Sequence, residues 1–159
     1  MTKSRKQPKK ARKIRRVSRL KLRVAAQKVA AIAGVPRIGA EWQGGIYAGV
    51  ARGVDGANDH HLIIAQVEPE PLAWPAAKKW AEGLSAGGHN DFSLPTRKEQ
   101  ALLFANVADL FKPTWYWSGE QHASDPEYAW GQYFGHGFQS YSHKGTSGRA
   151  RAVRRLVIE

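Results

Sequence analysis

The sequence predicts an α+β fold: two short helices and a small antiparallel sheet, preceded by a basic N-terminal helix or arm. Three observations carry this. Charge divides the chain sharply into an arm and a body. Two mid-chain segments have helical periodicity, each opened by its own start signal. Strand-type runs flank those helices in the order ββααβββ.

Charge sets the domain organisation. The 159 residues hold 25 Lys and Arg against 13 Asp and Glu, for a net charge of +12. Thirteen of the cations and none of the acids lie in residues 1–33, so the rest of the chain is nearly neutral. Residues 1–10 are Lys-rich with Pro8 and predict a disordered start. From about Lys9 to Ala33, Ile14, Val17, Leu20, Val24, Val29 and Ile32 recur at spacings of three to five, the pattern of an amphipathic helix. Gly34 and Pro36 suit its end, and Val35 to Glu41 reads as a linker. We therefore divide the chain into an arm, 1–41, and a domain, 42–159. Like charges at helical spacing make the arm helix marginal alone.

Within the domain, Gly44 to Ala51 and His61 to Val67 read as a hairpin with Asp55-Gly56 at or near its tip. Glu68-Pro69-Glu70-Pro71 breaks the sheet. A first helix is expected from Pro75 to Leu84, with Pro75 at the first turn and Gly87-Gly88 as its stop. Thr96-Arg97-Lys98-Glu99 fits a capping box and starts a second helix, with Leu102, Leu103, Val107 and Leu110 inward and Pro113 as its close. The rest lacks helical period. Trp115 to Ser118, Ala129 to Phe134 and Ala150 to Ile158 are strand candidates, separated by Gly- and His-rich loops.

Several classes are excluded or disfavoured. There is no cysteine, so disulfides, thiolate metal sites and cysteine nucleophiles are out. No apolar run reaches membrane-span length. The apolar stretch Val24 to Ala33 is broken by Lys28 and lacks a clean cleavage signal, so we expect no secretory signal peptide. No P-loop, dinucleotide fingerprint or nucleophile elbow is present. Catalytic and metal-ligating residues are therefore expected to be none, with no cofactor. His60 and His61 would face opposite sides of a strand and share no metal. Calcium would need six to eight oxygens, which Glu68-Pro69-Glu70 and Asp125-Pro126-Glu127 do not supply locally.

One segment carries a resemblance. Gly87-Gly88-His89-Asn90-Asp91-Phe92-Ser93-Leu94-Pro95-Thr96-Arg97-Lys98-Glu99, with Trp74, Ala77 and Trp80 before it and Trp117-Ser118, Ala129-Trp130, Phe134 and Arg151-Ala152-Val153-Arg154 after it, resembles the Lcl C-terminal domain family over about residues 42–157. The resemblance implies a C-type lectin-like fold with variable loops on a rigid scaffold, found in adhesins and many phage-encoded proteins. It names a shape and does not establish sugar binding. Relatives often carry a cysteine pair where Ala81 and Ala152 stand here, which suggests a cytoplasmic or virion setting. The arm has no counterpart in that family. Arg151 to Arg154 is expected to alternate exposed and buried positions as a terminal strand.

Two candidate sites follow. Trp115, Tyr116, His122, Tyr128, Tyr133, His136, Phe138, Tyr141 and His143 crowd a Gly- and Ser-rich stretch. Flat side chains with polar tips are suited to a protein or glycan ligand. Trp117, Trp130 and Phe134 are assigned to the core instead. The arm cations Lys9, Lys10, Arg12, Lys13, Arg15, Arg16, Arg19, Lys21 and Arg23 suit a polyanion. Nucleic acid, an acidic protein surface, a solubilising tail and an anionic membrane all remain open for them. The expectation is a non-enzymatic binding protein, cytoplasmic in a bacterial host or virion-associated. The alternative is a nucleic-acid-binding protein acting through the arm. The oligomeric state is not readable.

Overall fold

The computed structural model describes residues 34–159. The arm helix and its nine polyanion-binding candidates lie outside the described residues. A compact unit spans Ile38–Glu159 and contains two sheets and two helices.

The first sheet has five antiparallel strands in the order β1-β2-β3-β8-β4: β1 Glu41–Trp42, β2 Gly45–Ala51, β3 His60–Ile64, β4 Phe92–Ser93 and β8 Val153–Val157. The expected hairpin is β2–β3. At its tip Asp55 (φ 55°) and Gly56 (φ 83°) take left-handed conformations, and Ala57 N–H donates to the Val54 carbonyl. That is the geometry an Asp-Gly turn favours. A bulge lies between Tyr47 and Gly49, and the Ala48 carbonyl there accepts from Asn106 Nδ2 at 2.7 Å.

Two helices join the sheets. α1, Trp74–Glu82, starts one residue before Pro75 and ends at the Gly83 cap, whose N–H donates to Lys79 O. Gly87-Gly88 is therefore not its stop. Those glycines form a separate turn, Ala86 to His89, both with positive φ. α2, Arg97–Val107, begins as expected: Thr96 Oγ1 accepts from Glu99 N–H, and Glu99 reaches back to Thr96 N–H. It gives way to a 3-10 turn at Ala108–Leu110, before Pro113.

The second sheet is β5-β6-β7: Trp115–Gln121, Tyr128–Tyr133 and Gln139–His143. β7 falls where a loop was expected. Its Gln-Ser-Tyr-Ser-His sequence alternates but is mostly polar, because one face carries only serines.

Apolar packing divides in two. Trp74, Ala77 and Ala81 of α1 pack with Phe92, Leu94, Trp117, Ala129 and Ala152. Leu103 and Val107 of α2 pack with Ala48, Leu62, Ile64, Tyr116, Phe134 and Val153. Ala81 and Ala152 thus share one buried apolar cluster. The terminal strand corrects one expectation. β8 starts at Val153, and Arg154 is buried, paired with Asp91 and donating to Gln43 O. A buried cation needs such partners.

Candidate functional site

The nine candidate side chains separate by strand parity. Tyr133 N–H donates to Phe138 O and Lys144 N–H to Glu127 O, each at 2.8 Å. With the unbroken β6–β7 register, Ala129–Ser142 and Gly131–Ser140 are then the hydrogen-bonded pairs. Tyr128–His143, Trp130–Tyr141 and Gln132–Gln139 are the alternate pairs, whose side chains stand closer.

That parity builds one aromatic face. Trp130 and Tyr141 meet edge-to-face with ring centroids 5.2 Å apart, and Tyr128 and His143 likewise at 5.7 Å. His122, just beyond β5, lies 4.3 Å from Tyr141 and 5.6 Å from Trp130. Edge-to-face contact suits the ring quadrupoles. Tyr141 is 47% exposed, so the row opens to solvent. His122 Nδ1 is buried beneath it with no hydrogen-bond partner among the described residues.

A second cluster lies at the β6–β7 turn. Trp115 faces Tyr133 across the strands at 5.6 Å, His136 stacks on Tyr133 at 4.6 Å, and Phe138 stands beside Trp115 at 6.2 Å. Trp115 and Phe138 are 40% and 59% exposed. By the same parity Tyr133 points to the opposite face from Tyr128 and Trp130. On that side Gly131, Ser140 and Ser142, with Trp115, Trp117 and Thr146 to Gly148, line a groove of about 80 Å³.

Tyr116 must be corrected: it belongs to the core. It is 1% exposed, its hydroxyl donates to Glu68 Oε2 at 3.0 Å and accepts from Lys112 N–H, and its ring packs on Phe111 and Phe134. Burial, with the Glu68 carboxylate beside it, pushes the phenol above its ordinary pKa. On β5 its side chain falls on the face that α2 covers, which a run of aromatics in sequence does not reveal. Trp130, assigned to the core, is only partly buried and anchors the aromatic face.

Sequence reasoning missed the supports. Arg97 of the capping motif lies 3.5 Å above the Trp130 ring, and its Nε donates to Gln139 Oε1. Gln139 Nε2 donates to Arg97 O and Gln132 Oε1, each at 2.7 Å, and Gln132 donates to Gln100 O. These glutamines tie the sheet to the N-terminal half of α2. Their signal was weak: Gln132 and Gln139 sit at strand positions of the aromatic parity but were not aromatic. Glu68 also has a role the sequence did not show, bridging Arg149 and Arg151 as well as Tyr116.

One cluster of titratable groups lies elsewhere. Glu99, 3% exposed, takes Arg155 Nε and His60 Nε2 on one oxygen and Arg155 Nη2 and Thr96 N–H on the other. Both oxygens are saturated, so this carboxylate braces the fold. His61, as expected, points the other way and meets Tyr47 Oη at 3.1 Å. Among the described residues no three His, Asp or Glu side chains gather as a metal site would require, and no helix is long and apolar enough to cross a membrane.

The Lcl C-terminal domain family matches residues 41–154, most of the chain. The chain belongs to that family. No curated protein matches it.

Proposed function

We propose that this is a non-enzymatic recognition protein that binds a protein or glycan through its three-stranded sheet. The supporting observation is the ordered aromatic row His122, Tyr128, Trp130, Tyr141 and His143, with Tyr141 and His143 exposed and the other three partly buried, on a sheet braced by α2. Rigid aromatics with polar tips give contact area at small entropic cost. We further propose the C-type lectin-like shape, a phage or prophage source and a cytoplasmic or virion location, on the strength of the family resemblance and the absence of cysteine.

The test is ligand capture by Tyr128→Ala, Tyr133→Ala and Tyr141→Ala. We expect Tyr128→Ala and Tyr141→Ala to weaken capture of host proteins or arrayed glycans by about tenfold or more, with melting temperatures unchanged. Tyr133→Ala, on the other face, separates the two clusters. Unfolding of all three variants, or undiminished capture by them, would sink this function.

A second reading rests on the arm. Thirteen cations without one acid in residues 1–33 support salt-sensitive binding of nucleic acid, with the domain as its scaffold.

A further inference from the structure

Four sheet edges occur among the described residues, and three offer no template. β1 and β4, the edges of the larger sheet, have two residues each. The outer side of β5 is paired: Trp117 N–H donates to Arg149 O at 2.9 Å, Arg149 N–H to Trp115 O, and Gly119 N–H to Pro95 O. β7 is the fourth edge. It runs five residues, and it lacks the proline or lysine that usually blunts an exposed strand.

Ladder parity says which of its groups face outward. Ser140 and Ser142 spend their N–H and C=O groups on β6, so Gln139, Tyr141 and His143 turn theirs away from it. The His143 carbonyl accepts from Thr146 N–H in the following turn. Among the described residues, no backbone bond engages the outward groups of Gln139 or Tyr141.

We propose that the ligand is an extended peptide segment that adds to β7 as a fourth strand of this sheet. This rests on the recognition-face function above and narrows its ligand to a polypeptide in β conformation. The outward groups of Gln139 and Tyr141 are two residues apart, roughly 7 Å along the strand. A polypeptide backbone presents donors and acceptors at that repeat, and a glycan's hydroxyls do not. Side chains of the added strand alternate between two surfaces. One set meets the Tyr141 ring on the aromatic face, where apolar or aromatic residues fit. The other lies over Ser140 and Ser142 beside the narrow groove, where small residues fit.

The test uses the full chain, a displayed library of random linear peptides and a glycan panel. A selected peptide is then N-methylated one residue at a time. We expect losses on the order of tenfold at every second position and little effect between them. Tyr141→Ala removes the ring, and Tyr141→Pro removes the ring and the outward N–H while sparing the β6 ladder. Proline is expected to bind a further order of magnitude more weakly than alanine, with both variants melting near the parent temperature. The N-methyl scan decides even if the proline variant does not fold. A scan without the two-residue period, a library without binders, or a binder indifferent to both variants overturns strand addition. Glycan capture lost in Tyr141→Ala also overturns it but leaves the recognition face standing. If Tyr141→Ala changes no capture at all, the face itself falls.

Discussion

Glu99 closes the capping box of α2 and, through Arg155, clamps that helix to β8. Burial alone would raise its pKa, but the Arg155 guanidinium, the Thr96 amide and His60 together hold it below its ordinary 4.5. A carboxyl lowered in the folded state stabilises above its unfolded pKa, and that contribution fades as pH falls through the folded value. Urea midpoints should therefore stay level from neutral pH down to about 5 and fall below that. Glu99→Gln should cost about 3 kcal/mol at neutral pH, because the Arg155 guanidinium loses its counter-charge, and the acid slope should flatten. A variant as stable as the parent at pH 7 would show the clamp to be dispensable. At this scale the residue type was legible, since Thr96-Arg97-Lys98-Glu99 reads as a cap, whereas Arg155 is 56 residues away in sequence and could not be matched to it.

At the scale of elements, the turn at Ala86 to His89 shows how packing decides what a glycine is for. Gly87 and Gly88 both have positive φ, at 57° and 81°. A Cβ on Gly88 would meet nothing within 4 Å, whereas one on Gly87 would sit 2.3 Å from the Gly44 Cα, on backbone that cannot swing aside. Gly88→Ala should therefore cost about 1 kcal/mol, the left-handed penalty alone. Gly87→Ala should cost at least twice that, about 2–4 kcal/mol. Thermal melts of the two variants check this, and equal losses would mean that the turn and β1–β2 connection separate freely. The Gly-Gly pair was legible as punctuation, but its partner at Gly44 was not. For the same reason β7 went unseen: its pattern emerges only beside β6, where Trp130 and Tyr141 come into register.

For the whole molecule, the unit Ile38–Glu159 holds both apolar clusters, and the arm supplies the charge. Deleting residues 1–33 should leave the melting temperature and ligand capture unchanged. If the arm binds nucleic acid, the full chain should be retained on duplex DNA with a steep dependence on salt, and the deletion should abolish that retention. Retention that survives the deletion would move the polyanion site into the domain. Loss of ligand capture on deletion would tie the arm to the recognition face.

Local chemistry in the chain was enough to determine the α+β class, the hairpin with its Asp-Gly tip, the start of α2 and the family. The hairpin tip and the α2 start depend on residues within one turn of each other, where stereochemistry and hydrogen-bond reach act directly, and the class and the family rest on the order of such local segments along the chain. Tertiary structure alone decided which aromatics are core and which are face. Tyr116 and Tyr141 are the same residue type on the two outer strands of one three-stranded sheet, yet one lies under α2 and the other in solvent. That difference comes from where a helix crosses a sheet, and so from contacts between segments far apart in the chain.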